Sequence, residues 1–132
     1  MERLGSQFWL GLSGILGALG VFLGAFGAHV LRPILPLPVM AIFQTAVRYH
    51  FWHVLALLAC GLLMAAFPGR ATLLRWSAVL FTAGIVLFSG SLYALALTGL
   101  NALGIITPVG GLAWIGAWGL LAFAFFRGGG KD

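Results

Sequence analysis

The side chains that could do chemistry are concentrated in one stretch of the sequence, residues 24–53. All three histidines lie there, His29, His50 and His53, together with Arg48 and Tyr49. Imidazole is the commonest general acid–base group and metal ligand among side chains, and a guanidinium pairs with phosphate or carboxylate. By residue type alone, the stretch therefore allows an acid–base centre, a metal site or a site for an anionic ligand.

The composition predicts that this polar stretch lies in a membrane protein. Of the 132 residues, 62% are hydrophobic and only 7% are charged, and the mean hydropathy is +1.12. A soluble domain carries about 25% charged residues, so a water-facing surface is excluded. The length allows one transmembrane domain over residues 1–132. The net charge of +5 comes from scattered Lys and Arg near span ends, which favours a role in topology and no nucleic-acid partner.

The hydrophobic runs predict an all-α, integral-membrane four-helix bundle. Each run is close to the ~20 residues that cross a hydrocarbon core, or longer. Three prolines, Pro33, Pro36 and Pro38, forbid a regular helix between the first two spans and predict a connection in the membrane interface. The predicted spans are residues 8–28, 39–67, 73–97 and 108–126.

The glycines of the first span predict close helix packing. Small residues let helix backbones approach each other in a membrane, and a step of three residues rotates the glycine ridge around the helix. We therefore expect helix 1 to be central, with at least two neighbours. The packing residues expected from this pattern are Gly17, Gly20, Gly24 and Gly27.

The basic residues predict how the bundle is oriented. Four spans place both termini on one side, together with the connection between spans 2 and 3. Cytoplasmic segments carry an excess of Lys and Arg. We therefore expect a multi-pass membrane protein with both termini cytoplasmic and the histidine-bearing stretch near the opposite face. The cytoplasmic set is Arg3, Arg70, Arg75, Arg127 and Lys131, against Arg32 and Arg48 on the other side.

Four short motifs, read in order, resemble one known family. They are GAFGAHVL at 24–31, TAVRYHFWHVLAL at 45–57, VLFSGSLYALAL at 86–97 and ITPVGG at 106–111. They resemble the domain-of-unknown-function 423 family, also called the transmembrane protein 256 family, which includes small bacterial inner membrane proteins. The resemblance implies about four transmembrane helices and brings no catalytic residues. It also implies that relatives often have another polar residue at the position of His50, which argues against His50 as an obligatory ligand.

One set of polar residues is predicted to gather towards the outer half of the bundle, and its role has several readings. A structural reading has these side chains hydrogen-bonding one another and exposed backbone, because polar groups in lipid need partners. A ligand reading has them binding a lipid headgroup, a quinone or a small polar solute. A metal or haem site is disfavoured because His50 and His53 are three residues apart and no span contains a carboxylate. The candidate set is His29, Arg48, Tyr49, His53, Ser89 and Tyr93.

The sequence therefore predicts a non-enzymatic structural or accessory membrane protein without a cofactor or metal. The alternative is a lipid- or small-ligand-binding protein, or a transporter, that uses the polar cluster. The predicted partners are membrane lipids, and a homo-oligomer or a larger membrane complex is also open.

Overall fold

The computed structural model describes residues 2–127, with side chains from Gly5 onward. The tail from residue 128 to Asp132, for which the sequence predicts disorder, lies outside the described residues, as does the side chain of Arg3. Every regular element in the described part of the chain is helical. The α-helices are α1 (Glu2–Phe26), α2 (Leu37–Ala66), α3 (Ala71–Gly84), α4 (Gly90–Thr98) and α5 (Thr107–Phe126).

These helices form four segments that are long and apolar enough to cross a membrane. The third of them consists of α3 and α4 joined end to end. The prediction of an all-α integral-membrane four-helix bundle is therefore confirmed. The four spans are Gly5–Leu31, Leu37–Ala66, Pro68–Thr98 and Asn101–Phe126.

Two spans contain a turn of π-helix, in which the backbone bonds from residue i to i+5. The first, Gly27–Leu31, continues α1 and contains His29. The second, Ile85–Ser89, joins α3 to α4. Helix 1 therefore ends later than the predicted residue 28. The sequence did not predict the interruption of span 3.

Proline and glycine set the ends of the helices near the connections. Pro36 precedes the first turn of α2 and Pro38 lies within it, so α2 begins at Leu37 and not at residue 39. Proline is tolerated there because the first helical N–H groups have no partner within the helix. Gly99 ends α4 with a φ of 71°, a left-handed conformation that glycine adopts without strain. We call this end of the bundle the Pro33 end, and the opposite end, with Arg70 and Arg127, the Arg70 end.

The central helix is α2, and the expectation that helix 1 is central is wrong. In an apolar stretch of 18 residues of α2, 44% of the residues are buried, against 17% in a stretch of the same length in the first span. α2 packs against α1, α3 and α4, whereas α1 packs mainly on α2. The glycine pattern explains the difference, because the four glycines expected to pack against several neighbours all face α2.

Four glycines of the first span, three in α1 and one in the π turn that continues it, face α2 along one line. Gly17 lies beside Val54, and Gly24 lies beside Val47. A Cβ at Gly27 would lie 2.8 Å from the Phe43 ring, so a side chain there would push the two helices apart. The remaining member of the line, Gly20, contacts Phe51 and His50.

The main hydrophobic core lies between α2, α3 and α5. It includes the fully buried Leu57, Leu74 and Phe81. A smaller cluster around Phe43 and Leu31 packs at the Pro33 end. The buried polar side chains lie in and between these two clusters, where they need partners within the protein.

Candidate polar site

His50 joins three spans of the bundle. It lies on α2, and only 1% of its surface is exposed. Its Nε2 lies 2.8 Å from the carbonyl oxygen of Leu16 on α1, and its Nδ1 lies 2.9 Å from the Tyr93 hydroxyl on α4. Because a carbonyl can only accept, Nε2 carries the proton and Nδ1 accepts from the tyrosine. The ring is then neutral, and it connects α1, α2 and α4.

His53 occupies an aromatic enclosure between α2 and α5. Its Nδ1–H donates to the Tyr49 carbonyl at 2.7 Å, which leaves Nε2 to accept from the Trp118 indole N–H at 3.2 Å. Its ring lies flat on Trp114, with a centroid separation of 3.7 Å and an interplanar angle of 4°. This histidine therefore joins α2 to α5 by both a hydrogen bond and a stacked contact.

The buried hydroxyls and an indole bond mainly to backbone carbonyls of neighbouring helices. Ser89 donates to the Ala46 carbonyl at 2.8 Å, which joins the third span to α2. Ser77 donates to the Ala117 carbonyl at 2.8 Å and Trp114 donates to the Phe81 carbonyl at 3.1 Å, and both bonds join α3 to α5. Carbonyls remain accessible to such donors because each oxygen has two lone pairs.

One further hydroxyl pair fixes the beginning of α5. Ser91 donates to the Phe88 carbonyl at 2.9 Å within its own span, so its oxygen accepts from the Thr107 hydroxyl at 2.6 Å. Thr107 and Pro108 are the first two residues of α5, and the N-cap position before them is occupied by Ile106, without a side-chain cap bond.

The structure separates the six residues that the sequence groups together. Tyr49 and His53 are close, with nearly parallel rings 6.3 Å apart. Tyr93 contacts His50, and Ser89 contacts backbone. His29 and Arg48 are both exposed on the surface of the bundle. Most of the bonds that these side chains make go to backbone carbonyls or to residues outside the set.

Sequence reasoning missed His50 and the two tryptophans, Trp114 and Trp118. A signal for His50 was present in the spacing of α2. Its buried residues recur every three or four positions, and His50 occupies one of these positions. For Trp114 and Trp118 the sequence carries no such signal, and only the approach of α5 to α2 reveals their contacts with His53. The buried stripe of α2 includes Phe43, Ala46, His50, His53, Leu57 and Cys60.

The described residues contain no group of three His, Cys, Asp or Glu side chains arranged to hold a metal ion. Cys60 is buried and its thiol donates weakly to the Ser77 hydroxyl, with an S···O distance of 3.7 Å. The arrangement joins helices, and its polar atoms converge on backbone and not on a common centre.

Comparison with known proteins places the chain among small bacterial membrane proteins. A family described as "Protein of unknown function (DUF423)" matches residues 23–111. The UPF0382 inner membrane protein YgdD of Escherichia coli K12 is 41% identical over 122 residues, covering 92% of each chain. The UPF0382 membrane protein YwdK of Bacillus subtilis is 43% identical over 114 residues, covering 83% of this chain and 92% of its own.

A UPF0382 membrane protein of Staphylococcus haemolyticus is 42% identical over 118 residues, which cover 86% of this chain and 93% of the relative. No solved structure matches. The names of these relatives state a membrane location and no biochemical activity. From the match to most of its length and from these identities, the chain belongs to the DUF423 family of membrane proteins of unknown function.

Proposed function

We propose that this protein is a non-enzymatic structural or accessory membrane protein, and that its buried polar side chains hold its four spans in one arrangement. The observation that supports this most is that all four ring nitrogens of His50 and His53 are engaged in hydrogen bonds within the bundle. A catalytic imidazole needs a ring nitrogen within reach of the substrate. Here a substrate would have to displace an existing bond first.

Such bonds are useful in a bilayer for a physical reason. Apolar side chains gain little by leaving lipid for a neighbouring helix, so apolar contact alone does not select one helix arrangement. An interhelical hydrogen bond contributes about 0.6 kcal/mol on average and up to about 1.7 kcal/mol. Several such bonds at defined positions favour one register of the helices over the alternatives.

The experiment compares two buried histidines with the exposed one. His50→Phe and His53→Phe are purified in detergent beside His29→Phe, and each is examined for melting temperature, absorbance and co-purifying small molecules. We expect the first two variants to melt lower than the wild type and the third to melt with it, with no difference in small-molecule content. A variant that melts like the wild type but loses a small molecule that the wild type retains would contradict the proposal.

We also propose that the protein lies in the bacterial inner membrane with both termini in the cytoplasm. The sequence assigns five basic residues to the side of the termini and two to the opposite side, and this asymmetry supports the orientation through the positive-inside rule. The relatives named as inner membrane proteins support the choice of membrane.

Single cysteines at the two ends test this orientation. Gly69 and Asn101 are exposed at opposite ends of the bundle, and the native Cys60 is buried. In a Cys60→Ala background, Asn101→Cys should react with a membrane-impermeant maleimide in cells whose outer membrane is permeable to the reagent. Gly69→Cys should react only after the inner membrane is opened. The reverse labelling pattern would contradict the proposal and place both termini on the outer side of the membrane.

An accessory role implies a partner, and we propose a second copy or a larger membrane complex that contacts the outer face of α1. Gly11 and Gly14 lie on the exposed surface of this helix, with no other described segment within 4 Å of a Cβ position. Small residues in a span usually mark helix contacts. Native mass spectrometry of the wild type and of Gly14→Leu tests this. A larger species that persists in the variant would exclude this face as the contact.

A further inference from the structure

A groove opens between α1 and α2 near the Pro33 end of the bundle. Its volume is about 170 Å³. The α1 wall carries no side chain larger than a methyl group, so the groove is open along that wall. Its lining is apolar except for two side chains of α2, Gln44 and Arg48. The residues that matter here are Gly24, Gly27 and Ala28 of α1 and Phe43, Gln44 and Arg48 of α2.

Arg48 has no acidic partner among the side chains that the structure describes, from Gly5 to Arg127. The two acidic residues of the sequence are Glu2 and Asp132. Glu2 begins α1 at the Arg70 end, the end of the bundle opposite the groove. Within the described part of the chain, the charge of Arg48 is therefore left without a counter-charge. Gln44 lies one helical turn closer to the Pro33 end on the same face and can add a neutral donor.

The depth of Arg48 follows from the hydrogen bonds that link neighbouring helices. α5 has 20 residues, about 30 Å at 1.5 Å per residue, which matches the hydrocarbon thickness. Its first residue, Thr107, is bonded to Ser91, and Ser89 on the same span is bonded to the carbonyl of Ala46. This chain of contacts puts Arg48 about one helical turn inside the level where α5 begins.

An arginine at this depth extends its side chain to the headgroups while its methylene stem stays in apolar surroundings. Gln44, one helical turn closer to the Pro33 end, lines the same groove. An apolar groove that ends in a cation at headgroup level combines the two parts of a phospholipid, acyl chain and phosphate. A soluble anion would use the cation but leave the apolar groove empty.

We propose that this groove binds one anionic phospholipid, with its phosphodiester against Arg48 and Gln44 and an acyl chain along Gly24 and Ala28. A guanidinium donates two parallel hydrogen bonds to phosphate oxygens. The phosphate of a zwitterionic lipid is already neutralised by the ammonium of its own headgroup, so an anionic lipid interacts more strongly with Arg48. The site uses none of the hydrogen bonds of His50 or His53, so it stands independently of the role proposed for them.

The test measures lipid retention by the full chain. The protein is incorporated into nanodiscs with equal amounts of phosphatidylglycerol and phosphatidylethanolamine and released for native mass spectrometry. We expect one phosphatidylglycerol to be retained in preference to phosphatidylethanolamine. Arg48→Gln should weaken this retention about tenfold, the effect of losing one charge-assisted interaction.

Two further variants separate the effect of the groove from the effect of positive charge at this end of the bundle. Arg32→Gln removes the same charge at the same end but outside the groove, and should retain the lipid like the wild type. Ala28→Phe fills the groove without changing any charge, and should lose the lipid. Equal retention of both lipids by the wild type, equal losses for Arg48→Gln and Arg32→Gln, or full retention by Ala28→Phe would each overturn the proposal. Melting temperatures equal to that of the wild type verify that these exposed positions leave the fold intact.

Discussion

Each buried histidine is held in one tautomer by a backbone carbonyl. The Leu16 carbonyl fixes the proton of His50 on Nε2, and the Tyr49 carbonyl fixes that of His53 on Nδ1. The free nitrogen of each ring then accepts a bond from an aromatic donor, Tyr93 or Trp118. Both rings therefore act as connectors that accept on one side and donate on the other.

The hydroxyl of Tyr93 gives a prediction for a single atom. Tyr93→Phe keeps the ring packed against Phe43, at a centroid distance of 5.1 Å, but removes the donor to His50. We expect the free energy of unfolding to fall by about 0.6 kcal/mol, the average for such a bond in a membrane protein. Tyr49→Phe is the matched control, because Tyr49 packs on Trp114 and Phe88 through its ring. A larger loss for Tyr49→Phe than for Tyr93→Phe, measured by denaturant titration in micelles, would contradict the assignment.

The sequence predicts some of the neighbours within the polar site and not others. The four-residue spacing of Tyr49 and His53 places them on one helix face, and their rings are neighbours in the structure. His29 and Arg48 share a depth range with them, but depth does not determine the rotation of a helix about its axis. Both are exposed as a result. His50 is not in the predicted set, because the resemblance implies that relatives often have another polar residue there. Its position in the buried stripe of α2 is the better indicator of its role.

At the scale of helices, the π turn Ile85–Ser89 and the start of α5 fit against each other. Gly110 of α5 lies against the backbone of this turn, and its Cβ position would meet the Phe88 nitrogen and, at 2.8 Å, the Leu87 carbonyl carbon. The turn also brings Ser89 to the Ala46 carbonyl. A glycine is required at position 110 because backbone cannot move aside as a flexible side chain can.

Gly110→Ala should therefore destabilise the bundle. Overpacking of a close contact costs about 1–3 kcal/mol, and here the contact is with backbone. Gly119→Ala on the same helix is the control, since nothing lies within 4 Å of its Cβ position. In thermal unfolding, the melting temperature should fall clearly for Gly110→Ala and stay unchanged for Gly119→Ala. Equal melting temperatures would mean that α5 and the π turn are further apart than described.

The sequence predicts four membrane-spanning helices, but not how they are arranged. Hydropathy fixes a span because the bilayer needs an apolar segment of a given length. It does not reveal a π turn, because Ile85–Ser89 is as apolar as a regular helix. The glycines of α1 likewise predict a close contact without saying with which helix, so α1 was expected at the centre when it lies at the side.

At the scale of the whole molecule, α2 is the helix that is hydrogen-bonded to each of the other three spans, although α5 packs mainly on α3. α1 is bonded to it through His50, the third span through Ser89 and Tyr93, and α5 through Trp118 and His53. The four-helix membrane class is predictable because the composition excludes water as the solvent. The choice of α2 as the centre is not, since it depends on which polar side chain meets which carbonyl, and a single sequence does not record those pairings.

The measurement that tests this account most directly is a double-mutant cycle on His50 and Tyr93. The free energy of unfolding is measured for wild type, His50→Phe, Tyr93→Phe and the double variant. Side chains that bond each other across helices couple by about 0.6 kcal/mol and up to about 1.7 kcal/mol. A parallel cycle on Tyr93 and Ser77, whose hydroxyl bonds Ala117 elsewhere in the bundle, should be additive. Coupling in the first cycle and additivity in the second are the predicted result, whereas additivity within about 0.3 kcal/mol for His50 and Tyr93 would contradict the claim that this histidine holds the spans together.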